Sequence, residues 1–433
     1  MKRRSFIKKS GVAAATAFVA PYILPSGRLF ARTMSRKANH VVFCLFAGGV
    51  RNMESVHQNE GNLMPAMFDG VGSAIPGLDP VPASPWPVKL RSEGTFFQEM
   101  RYKEGPTGHF NGHTVAVTGV YTNTGLNLRA NPDYPTIFEY YLKHNSPAVT
   151  AKNAWWVSNA LGPYPALNYS NYPGYGPLYG ANHIAPTSLI SLATYPSIGQ
   201  PKQFQFHEEE KVLGIRDFLN KNFDKSLDNS NAGNYNTPDD AAQIRSFIQS
   251  MFDKGVSGQF LNPLGVPTAN ANNDIFTILF AEEVIKNFQP ELLVVNMTDV
   301  DACHQNFTQY CNNLRKADYA VAHLWKTIQE TPGMADDTVL IVVPEHGRNL
   351  EGNTVKDIYG RFGIDHTGDN TSREIFSLIL GPAGVVNKNQ TIGTPSNPVG
   401  ESIDIVPTIA HILGFDVHIP AGMLPGRVLT EAF

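Results

Sequence analysis

Four runs of strand length, at residues 38–46, 292–296, 338–343 and 375–380, are almost wholly apolar. A strand with one solvated face alternates apolar and polar positions. These runs do not, so each is expected to be covered on both faces, as in a central parallel sheet. Between them the period becomes helical. Residues 307–331 carry Leu314, Ala317, Val321, Leu324 and Ile328 on one stripe. Residues 135–144 place Ile137, Tyr140 and Tyr141 at helical spacing behind a proline start. Further helices are expected over about 208–222, 238–253, 274–287 and 403–413. Strands alternating with helices predict an α/β fold: a mostly parallel central sheet with helices on both faces. A stretch at about 145–206, rich in Tyr, Asn, Pro and Gly, shows neither period. It reads as a loop-rich insertion of the kind that forms lids or binding walls.

The start of the chain stands apart. A basic run, Lys2-Arg3-Arg4-Ser5-Phe6-Ile7-Lys8-Lys9, precedes a weakly apolar stretch at 11–24 that Pro21 interrupts. This is the layout of a twin-arginine export signal. The apolar part is shorter than the ~20 residues a spanning helix needs. The expected organisation is a signal at 1–33 and one domain at 34–433, placed in the periplasm or cell envelope. Membrane contact is expected only through the signal segment if it stays uncleaved. A net charge of -4 supplies no basic stripe, which argues against a nucleic-acid partner. Three cysteines, Cys44, Cys303 and Cys311, are too few for a disulfide framework and are expected to be free and buried.

In open α/β sheets, sites form beyond the carboxyl ends of the strands. That rule selects residues 47–51, 299–304 and 345–348. Asp299, Asp301 and His304 follow one strand, Glu345 and His346 another, and Asp365 and His366 come shortly after. Mixed carboxylate and imidazole donors suit zinc, manganese or iron better than an all-oxygen magnesium or calcium site. Arg51 and Arg348 offer forked donors to an anionic substrate group, or strand-end salt bridges. Asn111 is a candidate for hydrogen bonds to substrate, as is Asn353, unless they cap turns. Trp155, Trp156, Tyr164, Tyr172, Tyr175 and Tyr179 offer faces for stacking on a ligand or for packing the long loop.

The segment at 334–347, ending in Pro344-Glu345-His346-Gly347, resembles the sulfatase and phosphodiesterase segment in which an acidic residue and a histidine close a strand and bind metal. His366, within Ile364-Asp365-His366-Thr367-Gly368-Asp369, is similar to that superfamily's last metal histidine. Asp301 and His304, or Asp299 and His304, resemble its spaced Asp/His pair. Residues 106–121 resemble its nucleophile helix, and residues 404–414 with 425–429 its C-terminal signature. The chain from about residue 38 onward is identified by these motifs as similar to the alkaline phosphatase/sulfatase superfamily. The resemblance implies an alkaline-phosphatase-like core.

Three features depart from the pattern. Ala47 and Gly48 stand where the superfamily has an Asp ligand, His109 stands near its nucleophile, and Glu345 replaces an Asp. With Gly108, Phe110 and Arg348 these changes resemble a twin-arginine-exported, sulfatase-like branch whose chemistry is mostly unassigned. The resemblance implies an exported metal-dependent hydrolase of phosphate or sulfate esters, of a small molecule or a glycan. A divalent metal, zinc or manganese, is expected on Asp301, His304, Glu345, His346 and His366, with Asp299 as the alternative to Asp301. His109, Thr107 and Arg348 are the candidate catalytic groups, His109 as nucleophile, acid–base or metal donor. Arg51, Asn111 and His113 are candidates for substrate, His113 also for metal. The rival reading is a catalytically degenerate protein without metal, serving as a binding or assembly component beside an envelope protein partner.

Overall fold

The computed structural model describes residues 36–123, 131–145, 150–159, 167–187, 189, 234, 236–367 and 369–433, together with a short antiparallel pair, Tyr22–Ile23 and Leu29–Phe30. The rest of the expected export signal, the helix expected at 208–222, and Tyr164 lie outside the described residues.

Among the described residues, eight strands form the central sheet: β1 (His40–Phe46), β2 (Gly94–Arg101), β3 (Ala154–Ser158), β4 (Asn182–Ile184), β5 (Leu292–Met297), β6 (Thr338–Pro344), β7 (Glu374–Leu380) and β8 (Gln390–Ile392). Their spatial order is β8-β2-β7-β6-β1-β5-β3-β4. Every neighbouring pair is parallel except those of β7, which runs antiparallel to β2 and β6. The mixed, mostly parallel sheet is therefore the one the apolar runs predict.

All seven residues of β1 are buried, because both faces are covered. Val42, Cys44 and Phe46 join a core with α4 (Asn273–Phe288) and α5 (Phe307–Glu330), to which α3 (Pro238–Val256) also contributes. Val41, Phe43 and Leu45 join the opposite core with α1 (His109–Thr118), α2 (Ile137–His144) and α6 (Ile405–Leu413). Full burial of each large apolar side chain is worth about 1.5–3 kcal/mol. Helix starts are fixed locally. Thr136 and Glu139 form a capping box at α2, and Asn306 Oδ1 accepts from the Gln309 N–H at α5 (2.9 Å).

The stretch expected as a loop-rich insertion contributes two strands, β3 and β4, to this sheet. Trp155 stacks on Phe288 on one face, while Trp156 meets Phe138 on the other. Five residues flanked by Asn- and Pro-rich sequence are too short to show a period, which hides β3. Cys44, Cys303 and Cys311 are free and buried. Among the described residues no helix is long and apolar enough to cross a membrane.

Candidate metal centre

Strands β6, β1 and β5 are adjacent and parallel, so their carboxyl ends open onto one place. After β1 the chain turns through Gly48 (φ 108°) and Gly49 (φ 81°). A Cβ at Gly48 would lie 2.5 Å from Asp301 N, and one at Gly49 would lie 2.5 Å from the His346 ring. Glycine is required at both positions by conformation and by the approach of the neighbouring strand ends. The turn also aims the Gly48 N–H at Glu345 Oε1 (2.5 Å).

Two donor sets meet here. In the first, His109, Asp301, His304 and His366 bring their donor atoms within 4.8 Å of one another. Asp301 Oδ1 lies 3.0 Å from His109 Nε2 and 3.2 Å from His304 Nε2. His366 Nε2 lies 3.1 Å from His109 Nε2. The second set joins His109, Glu345 and His346 within the same span. Here Glu345 Oε1 lies 2.8 Å from His109 Nδ1 and 3.1 Å from His346 Nε2. One imidazole, that of His109 at the first turn of α1, belongs to both sets.

The surrounding hydrogen bonds orient the rings. His366 Nδ1 donates to the Thr107 carbonyl (2.5 Å) and His346 Nδ1 to the Gly347 carbonyl (2.7 Å). A ring whose Nδ1–H is held by a carbonyl turns its Nε2 lone pair inward. His304 is held through Nδ1 by Asp365 Oδ1 (2.7 Å), which Asn353 Nδ2 supports at 3.0 Å. Burial keeps His366 and His346 below the ordinary histidine range, the neighbouring imidazoles adding to this for His366 and the His109 charge for His346. Burial also opposes charge on His109, but hydrogen bonds to Asp301 and Glu345 outweigh it and push its pKa up to about 10. Burial works against the Asp301 and Glu345 carboxylates too, yet their imidazole partners hold both well below the usual range. Whatever sits between the facing Nε2 atoms of His109 and His366 must therefore be electron-poor, a proton or a cation. Buried Nε2 of His346 and Oε2 of Glu345 have no aligned hydrogen-bond partner. Inward lone pairs and ionised carboxylates are a donor set that fits a divalent cation of the zinc or manganese type.

The expected residues do not all converge. Asp301 and His304 share one side of a 3-10 turn spanning Asp299–His304, where positions three apart eclipse. Asp299 therefore points elsewhere: Asn273 Nδ2 donates to its Oδ1 (2.9 Å) and the Asp274 N–H to its Oδ2 (3.3 Å), so it stays outside both sets. Thr107 is also turned away, since it precedes α1, which begins at His109, and its Oγ1 donates to the His366 carbonyl. The Arg51 guanidinium is engaged by Glu54 (2.6 and 2.8 Å) and by the Asn349 and Leu350 carbonyls, so it is a buried brace and not an open anion grip. Asn111 is fully buried, with Nδ2 donating to the Thr122 carbonyl (3.2 Å). His113 is buried, its Nδ1 donating to the His109 carbonyl (2.6 Å) and lying beside Glu345 Oε2 (2.5 Å). Fully buried Arg348 binds the Gly48, Gly49, Val300 and Ile364 carbonyls and holds Asp301 Oδ1 at 3.0 Å. It joins the loops behind the site.

Comparison with known proteins agrees with this architecture. The sequence profile of the type I phosphodiesterase / nucleotide pyrophosphatase family matches residues 88–356. No curated protein matches the sequence. A solved variant of the alkaline phosphatase PafA shares 12% identity at a TM-score of 0.50, over 92% of this chain and 99% of its own. A protein in the alkaline phosphatase superfamily from Vibrio parahaemolyticus shares 13% identity at a TM-score of 0.44, over 96% and 75%. A 2-O GAG sulfatase shares 11% identity at a TM-score of 0.42, over 91% and 74%. At such identities the PafA likeness is one of fold, and the family match carries the assignment. The chain belongs to the type I phosphodiesterase / nucleotide pyrophosphatase family, within the alkaline phosphatase/sulfatase superfamily of phosphoesterases and sulfatases.

Proposed function

We propose that this chain is a metal-dependent hydrolase of phosphate or sulfate esters that works outside the cytoplasm. The observation that carries the reading is the convergence of His109, Asp301, His304 and His366 on one space at the sheet's carboxyl edge. A divalent cation held there, zinc or manganese, supplies Lewis acidity toward the ester oxygens. The protein's own groups do the rest. Asp365 and the Thr107 carbonyl fix His304 and His366, Arg348 holds the Asp301 carboxylate, and the Gly48 N–H holds Glu345. Preorganised donors of this kind need no rearrangement as charge develops on the ester. The paired Arg3-Arg4 ahead of an apolar stretch supports export by the twin-arginine route. Substrates of the small-molecule or glycan-ester class suit the partly exposed Asp301 and His304.

The test is turnover of a panel of aryl phosphate monoesters, phosphodiesters and sulfate esters by protein loaded with zinc or manganese. Turnover of at least one class is expected, abolished by a chelator and reduced about 100-fold or more in His304→Ala, in the range that loss of catalytic groups produces. Turnover that survives both treatments would contradict the reading.

A further inference from the structure

We infer that His109 bridges two metal ions as an imidazolate, through Nε2 to the set Asp301, His304 and His366 and through Nδ1 to the set Glu345 and His346. The inference rests on the metal-centre reading above and adds the residue that links the two donor sets.

The geometry is specific to one side chain. The two nitrogens of an imidazole lie on separate edges of the ring, so one ring serves two ions only where each edge faces its own donors. His109 meets that condition. Its Nε2 lies 3.0 Å from Asp301 Oδ1 and 3.1 Å from His366 Nε2, while its Nδ1 lies 2.8 Å from Glu345 Oε1. The other histidines of the two sets do not. Nδ1 of His346 is tied to the Gly347 carbonyl, Nδ1 of His366 to the Thr107 carbonyl, and Nδ1 of His304 to Asp365, leaving each a single inward nitrogen. The second set also holds buried polar atoms without aligned partners, His346 Nε2 and Glu345 Oε2, although Gly48, His109 and His113 crowd the same carboxylate. Desolvated atoms of this kind cost stability unless something satisfies them.

Charge points the same way. Each set contains one carboxylate, Asp301 or Glu345, against the two positive charges of a divalent ion. Ala47, at the end of β1, supplies no third anion. A shared imidazolate does: the first ion displaces the Nε2 proton and the second the Nδ1 proton, both leaving to solvent, and the ring's negative charge is divided between the two ions.

Copper(II) is the probe that reads this without turnover. Stripped full-length protein is loaded with Cu(II), freed of weakly held metal by gel filtration, and analysed for copper content and electron paramagnetic resonance spin count. The expected result is two retained coppers whose spin count at low temperature falls far below the copper content, since an imidazolate couples two Cu(II) spins antiferromagnetically. His109→Ala is expected to restore one spin per retained copper. The wild-type spin count stands alone if that variant folds poorly. Two retained coppers with full spin intensity, or one copper indifferent to His346→Ala, would overturn the bridge and leave the hydrolase reading intact. No retained copper, joined to no retained zinc, would overturn both.

Discussion

The orientation of His304 depends on a residue that itself donates nothing to either set. Asp365 Oδ1 receives its Nδ1 at 2.7 Å, so Nε2 is turned toward Asp301. Replacing Asp365 by Asn removes the charge that makes the imidazole a better donor while preserving the shape. Cation affinity should fall by about 10–100-fold, the usual cost of removing a partner behind a metal ligand. Because the Asp365 side chain is 45% exposed, thermal stability should change little. Titration calorimetry with zinc checks this, and an unchanged affinity would contradict the arrangement. Asp365 and His366 are visible as neighbours in the sequence. Which of the two faces the cluster is not, because the segment from 349 to 364 must first return to His304 through Asn353, whose Nδ2 donates to the His304 carbonyl (2.9 Å). By sequence Asp299 is the alternative to Asp301, and the 3-10 turn separates the two. By sequence Arg51 is either an anion grip or a salt bridge, and Glu54, three residues later, makes it the second.

At the scale of elements, α5 is held to the rest of the molecule by a buried carboxylate. Asp318 accepts the N–H groups of Ala66 (2.7 Å) and Met67 (2.9 Å), which joins the helix to the loop that follows β1. Burial pushes its pKa up to about 7 against an unfolded value near 4. Between about pH 4 and pH 7 the folded chain therefore holds a proton that the unfolded chain has lost. Folding takes up that proton, so this group's contribution to stability is fully present below about pH 4 and declines as pH rises to 7. Melting curves of the wild type and Asp318→Asn across that window should differ in slope, with the variant flatter whatever its absolute stability. Parallel slopes would contradict the assignment. The long elements were legible because their patterns are long: α5 shows its stripe over 24 residues, and β1, β5, β6 and β7 are almost wholly apolar runs. β2 was hidden by Gln98, Glu99 and Arg101 toward its end, and β4 and β8 by a length of three residues each.

Across the whole molecule, the sheet does one job for the site. Two apolar layers cover its faces, so polar side chains collect where the strands stop, and three adjacent parallel strands stop together. Helix α1 and the segment after Arg348 then carry His109 and His366 over that edge. The site draws on residues from 48 to 366, so few of its contacts are local in sequence. The sequence pattern therefore reveals the strand-end donors readily and their pairing poorly. The most direct test of the account is the metal content of folded full-length protein by elemental analysis, after loading with zinc or manganese and removal of weakly held ions. The account predicts tightly retained metal, with the first set emptied in His304→Ala and the second in His346→Ala. Protein that folds normally yet retains no metal under either loading would contradict it.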